Sequence, residues 1–214
     1  KQVTIPSSVI SIGDLAFYSC TSLSEILIPS SVTEICENSF GRCKSLKKLI
    51  IPSSVTLIKS SAFIECSSLT EISIPSSVKS IEKSAFMKCS SLTNVDFESP
   101  SSISSIDDNT FEKCNSLIKI KIPSSVNSIG KSAFGSCSSL KQILFEQPSS
   151  LTSIDDGAFE NCSALEKIDV PSSVSFIGES VFYGCESLNE ITIPSSIEEI
   201  YHLNIREKAK ITRI

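Results

Sequence analysis

One phrase recurs along this chain: Ile-Pro-Ser-Ser-Val-x-x-Ile, a short stretch, Ala-Phe-x-x-Cys, then Ser-Leu-x-x-Ile. Its nine prolines, from Pro6 to Pro194, lie 23 residues apart, or 25 at two of the steps. A fixed period of that length argues against a core assembled from distant segments. It calls for a stack of like units, each burying the face of the next.

Aligned on proline, the repeat separates into columns. Three residues on stands an aliphatic (Val9, Val32, Val55), and six on an isoleucine every time, from Ile12 to Ile200. Phe17, Phe40, Phe63, Phe86, Phe111, Phe134, Phe159 and Phe182 follow, each with a cysteine three residues later and a leucine three beyond that. Two inward positions two apart, such as Ile26 and Ile28, lead to the next proline. That period-2 pair reads as a short strand, which proline ends because it has no N–H for a ladder. Pro-Ser-Ser is turn chemistry, and Val-x-x-Ile a second extended piece. The three-residue spacing of Phe and Cys suits a helical or 3₁₀ turn with both side chains inward.

The expectation is an α/β solenoid with coils of 23–25 residues. One face is a continuous parallel sheet and the other a row of short helical or 3₁₀ turns. Residues 1–200 would form about eight full coils, with the phenylalanines as an aromatic spine. Residues 201–214 read as a degenerate ninth coil or a C-terminal cap. Keeping the 23-residue step there puts Ile205 in the Phe column, Lys208 in the Cys column, Ile211 in the Leu column and Ile214 in the Ile column. A chain that starts without methionine and stops in mid-strand also reads as a piece of a longer protein, whose leader or anchor could lie elsewhere.

The two longer coils carry an additional pair, Glu98-Ser99 and Glu146-Gln147. These pairs open two closely matching blocks, residues 98–145 and 146–193. Growth by adding units suits a structural or binding array better than an active site.

Nine cysteines and one histidine, His202, give no C-x2-C spacing from which a metal site could converge. A disulfide framework belongs to small domains without a core. A buried ladder of cysteines acting as small hydrophobes is therefore the favoured reading. Cys36 stands outside that ladder and is expected to be an exposed, reactive thiol. Nucleophilic catalysis lacks a base, since His202 lies in the degenerate coil. The pairs Asp107-Asp108 and Asp155-Asp156 precede the expected helical turn, where carboxylates cap N-termini; a general-acid pair or a calcium site is the alternative. No catalytic residue, metal or cofactor is therefore expected. Net charge is −5, without a basic stripe along the sequence, which disfavours nucleic acid and anionic membranes but leaves a local patch open. No apolar run is long enough to span a bilayer.

Recognition should lie where the repeats differ. Five residues after cysteine the strand column reads Glu25, Lys48, Glu71, then Lys119 two coils on; seven after, it reads Leu27, Ile50, then Lys121 and Leu144. The sign alternation across Glu25, Lys48 and Glu71 can form a surface charge ladder or simply solvate the face. Leu27 and Ile50 would be neighbouring apolar residues on a polar face, which suggests a protein contact or lateral packing.

The column set IPSSVxxIGxxAFxxCxSLxxIxIP, carried by Pro29, Phe40, Cys43, Leu46 and their repeats, resembles the BspA-like leucine-rich repeat family. The resemblance runs to about Ile200. Departures are the two insertions, Val181 in the Ala position and the last coil. It implies a non-enzymatic surface or secreted protein of a mucosal bacterium or parasitic protist. Such a protein would adhere to host-cell or matrix proteins through its concave sheet face. The competing readings are a cytoplasmic scaffold or spacer and, more distantly, an enzyme module or inhibitor. Exposed strand edges at both ends also suggest self-association.

Overall fold

In a computed structural model, which describes residues 2–214, the repeat becomes about nine stacked coils. Counted from each proline, coils 1 to 9 begin at Pro6, Pro29, Pro52, Pro75, Pro100, Pro123, Pro148, Pro171 and Pro194. The front face carries β1 (Gln2–Thr4), β2 (Glu25–Leu27), β4 (Lys48–Ile50), β6 (Glu71–Ile74) and β8 (Asn94–Phe97). It continues through β10 (Lys119–Ile122), β12 (Gln142–Phe145), β14 (Lys167–Asp169), β16 (Glu190–Ile193) and β17 (Lys210–Arg213). After each Pro-Ser-Ser turn a two-residue strand forms a second column. These are β3 (Glu34–Ile35), β5 (Leu57–Ile58), β7 (Ser80–Ile81), β9 (Ser105–Ile106), β11 (Ser128–Ile129), β13 (Ser153–Ile154) and β15 (Phe176–Ile177). Every recorded pairing is parallel.

The front sheet is not continuous, contrary to the sequence expectation. It divides into β1-β2-β4, β6-β8 and β10-β12-β14-β16-β17, and the second column into β3-β5-β7 and β15-β13-β11-β9. Both columns break between coils 4 and 5, where the first insertion lengthens the coil. At the second insertion, β12 keeps one rung with β14, Gln142 opposite Lys167. The gap between β4 and β6 has no insertion to account for it.

The opposite edge corrects the expected helical face. No α-helix occurs among the described residues, and the one 3₁₀ turn is Tyr201–Leu203. Coils 1–8 instead each place two residues in the left-handed region, two before and two after the phenylalanine: Ser61 (φ 56) and Glu65 (φ 56) around Phe63, Ser84 (φ 59) and Lys88 (φ 60) around Phe86. Helix requires an unbroken right-handed run, so a left-handed residue at every fourth position forbids it. The backbone donors are shared out accordingly. The N–H groups of Ala62, Ile64 and Cys66 close turns onto residues three back, while those of Ser61, Phe63 and Glu65 donate to Lys83, Ala85 and Met87 of the next coil. The edge is thus a third inter-coil ladder.

Inside, the phenylalanines stack with ring centroids 5.2–6.0 Å apart and planes within 17° of parallel. That is the offset geometry aromatic rings prefer. The thiol column bonds as well as packs. Cys43 donates to the Phe17 carbonyl at 3.1 Å, Cys66 to Phe40 at 3.2 Å and Cys114 to Phe86 at 3.3 Å. Each such carbonyl already accepts the N–H of its own coil's cysteine, so the thiol occupies its second lone pair. Burial pushes the Cys89, Cys137 and Cys185 thiols up to about 12, far from the reactive thiolate. The second serine of the turn does similar work: Ser31, Ser54 and Ser77 donate to Val9, Val32 and Val55 one coil earlier, at 2.6, 2.6 and 2.7 Å.

Coil 9 departs from the 23-residue step. Lys210 pairs with Glu190 and Ile211 with Ile191, a step of twenty residues, so Ile211 takes a strand position rather than the Leu column. The 3₁₀ turn replaces the longer Ala-Phe-x-x-Cys segment. Leu203 is fully buried there, while Ile205, expected beneath Phe182, is only half-buried.

Candidate functional site

The pleat of the front strands turns alternate residues outward. It exposes Glu25, Leu27, Lys48, Ile50, Glu71, Lys119 and Lys121, while Leu144 is half-buried. Register sets Glu25 beside Lys48 and Leu27 beside Ile50. Lys121 stands beside Leu144 and Lys119 beside Gln142. The eight residues therefore form two groups, coils 1–3 and coils 5–6, separated by Asn94 and Asp96 of coil 4.

The groups differ in how their charges are met. Among the described residues, Glu25, Lys48, Glu71 and Lys119 make no ion pair, so the expected ladder of alternating charge is not closed by contact. Lys121 is held by Glu146 of the second insertion at 2.5 Å, and this hydrogen bond keeps the Glu146 carboxyl below its usual range. The same carboxylate accepts the Ser124 N–H at 3.2 Å, as Glu98 accepts that of Ser76 at 3.3 Å. Each insertion thereby caps the turn that opens its own coil. Further on, Lys167 reaches Asp169 at 3.3 Å and Glu190 at 3.8 Å, and the Thr192 hydroxyl donates to Asp169 at 2.7 Å.

Leu27 is 54% and Ile50 57% exposed, in adjacent strands. Beside Ile50 the sheet breaks, and a cleft of about 350 Å³ opens there, lined by Lys48, Ile50, Glu71, Ser73, Asn94 and Glu98. Carboxylate, ammonium and two aliphatic side chains, all facing water without ion-pair partners among the described residues, make a surface that can contact a protein.

Cys36 corrects the sequence expectation. It is 6% exposed, and burial, with a hydrogen bond to Glu34 at 3.5 Å, raises its thiol. The exposed cysteine is Cys20, the first of the ladder, with no coil stacked ahead of it among the described residues. The aspartate pairs cap backbone of the next coil rather than a helix. Asp108 accepts the Lys131 N–H at 2.8 Å and Asp156 that of Glu179 at 3.0 Å. Gly130 permits this approach, since a Cβ there would lie 2.7 Å from the Asp108 nitrogen. No grouping of three or more potential metal ligands occurs among the described residues. No helix there is long and apolar enough to cross a membrane.

The family pattern for the BspA type leucine rich repeat region matches in six copies, over residues 1–117 and 95–212. A leucine rich cell surface protein of Faecalibacterium prausnitzii is 25% identical, with TM-score 0.63, over 99% of this chain and 78% of that one. A leucine rich repeat protein of T. pallidum is 28% identical, with TM-score 0.59, over 87% of this chain and 77% of its own. The pneumococcal vaccine antigen PcpA is 25% identical, with TM-score 0.56, over 89% of this chain and 40% of its own. A comparison with curated proteins gives no match.

Proposed function

Because this chain belongs to the BspA-type leucine-rich repeat family, we propose that it is a non-enzymatic, protein-binding solenoid acting at the cell surface or in secreted form. Its partner is a host-surface or matrix protein. The observation that carries this reading is the exposed Leu27–Ile50 pair, flanked by Glu25, Lys48 and Glu71, which make no ion pair among the described residues, on the front of coils 1–3. Interfaces concentrate their energy in a few desolvated anchors, and two adjacent aliphatics beside a cleft supply them. That one solved relative is a cell surface protein and another a vaccine antigen favours the location.

Two measurements test the proposal. A membrane-impermeant biotinylation reagent applied to intact cells is expected to label the protein; labelling only after permeabilisation would instead indicate an intracellular scaffold. Leu27→Asp combined with Ile50→Asp is expected to weaken retention of the host protein captured by the unaltered chain at least about tenfold, roughly 1.4 kcal/mol. The melting temperature should hardly move, because both side chains already face water. Unchanged retention would sink the assignment of the face.

A further inference from the structure

Away from the front face, the left-handed edge carries a row of charge of its own. Two residues past Phe40, Phe63, Phe86 and Phe111 stand Arg42, Glu65, Lys88 and Lys113, and Lys44 lies beside Arg42. The ring spacing of 5.2–5.5 Å sets the step from one coil to the next. Glu65 holds two of these cations, Arg42 at 3.2 Å and Lys88 at 3.4 Å, and Glu112 holds Lys113 at 2.7 Å. Lys44 has no ion pair among the described residues. Four cations thus face two carboxylates along four coils, with Lys88 and Lys113 only one step apart. The excess of cations over carboxylates leaves the edge net positive, and an external anion can neutralise it.

The edge lies in a stretch of balanced charge on an otherwise acidic chain: residues 29–122 carry 11 basic and 10 acidic side chains, the remaining residues 8 and 14. An open groove of about 420 Å³ runs along it, lined by three ammonium groups (Lys44, Lys88, Lys113), two hydroxyls (Ser67, Ser90) and the Asn115 amide, with Glu65. No apolar or aromatic side chain lines it. A peptide would find no anchor there, and a single-stranded nucleic acid no stacking platform. The ligand whose chemistry matches is linear, polyanionic and rich in hydroxyl groups.

We propose that the turn edge of coils 2–5 binds a sulfated polysaccharide. The sulfates pair with Lys44, Lys88 and Lys113, and the sugar hydroxyls bond to Ser67, Ser90 and Asn115. The backbone that presents these side chains is already fixed by inter-coil hydrogen bonds, so little ordering accompanies binding. This site is independent of the front face.

The test is calorimetric titration of the whole 214-residue chain with a size-defined, fully sulfated heparin octasaccharide at several salt concentrations. Binding is expected to weaken steeply with salt, as for any polyelectrolyte ligand. Lys88→Gln with Lys113→Gln should reduce affinity at least about tenfold and lower the log–log salt slope by about two, one per lost contact. Lys141→Gln with Lys167→Gln removes the same charge elsewhere and is expected to change affinity less than about twofold, the effect of net charge alone. Circular dichroism melts check that all variants stay folded. Three results would overturn the proposal: no binding at low salt, equal losses for both double variants, or equal affinity for a hexaglutamate peptide or for the desulfated octasaccharide.

Discussion

The front faces of coils 1–3 and of coils 7–8 stand on the same interior, yet they present opposite surfaces. In coils 7–8, Lys167, Asp169, Glu190 and Thr192 bond to one another. In coils 1–3, Glu25, Lys48 and Glu71 have no such partners among the described residues and flank two bare aliphatics. A repeat that fixes every inward column leaves only the outward ones to distinguish its coils. Here those columns have gone two ways, toward internal neutralisation in one stretch and toward an unfilled contact surface in the other.

The two regions share one interior, and truncating it should produce the largest effect. Phe63→Ala and Phe159→Ala, one beneath each region, should each destabilise the fold by about 3–5 kcal/mol. Both rings are fully buried in the same stack. Denaturant unfolding that separates the two by more than about 2 kcal/mol would show that the halves are not built alike.

A smaller effect addresses the surfaces directly. Lys48→Glu makes the strand column Glu25, Lys48 and Glu71 uniformly negative and is expected to cost roughly 1 kcal/mol or more in partner affinity, through like-charge contacts at the interface. Lys167→Glu makes the same change among the internally paired charges of coil 7. It should leave affinity untouched and cost under about 1 kcal/mol of stability, the range of exposed ion pairs. Equal losses of affinity in a binding assay would erase the distinction between the regions.

The smallest effect concerns acid. Glu146 has a carboxyl held below its usual value of 4.5, chiefly by Lys121. A depressed folded value means that its contribution is fully present above about pH 4.5 and is lost as pH falls through the folded value. Melting temperatures followed down to about pH 3 should therefore fall less steeply for Glu146→Gln than for the unaltered chain. A steeper fall in the variant would show that the carboxylate is not stabilised there.

Much of this was legible in the repeat itself. Proline spacing, the Phe and Cys columns and the alternation before each proline gave the stack, the spine, the ladder and the outward strand residues. The helical edge was misread because Ala-Phe-x-x-Cys has the spacing of a helix. What overrides that spacing is a left-handed backbone at positions held by Arg42, Glu65 and Lys88, which are not residues that advertise one. The exposure of Cys36 was misread because its column lies beside the inward isoleucine, where a small apolar side chain can tuck in. Pairing along the front was out of reach for another reason. Whether Lys121 finds Glu146, while Lys48 finds no carboxylate among the described residues, depends on side-chain reach that no column displays. The cationic edge could have been found by reading down the positions two after phenylalanine and one after cysteine.

The interruption between coils 4 and 5 gives the rod a mechanical axis. Neither strand column has a rung there; the recorded backbone bonds across it are those of the turn edge, Ser84 to Asp108, Phe86 to Thr110 and Lys88 to Glu112. A column tied along one side bends about that side, so compliance concentrates at this joint, which opens on the strand side with the turn edge as pivot. Hydrogen exchange should report it, with the amides of Ser105 and Asp107 exchanging faster than those of Ser128 and Gly130 one coil on. Equal protection would mean a rod of uniform stiffness. A joint in the middle lets two blocks of coils adjust their relative angle to a curved or uneven counter-surface without either one unfolding.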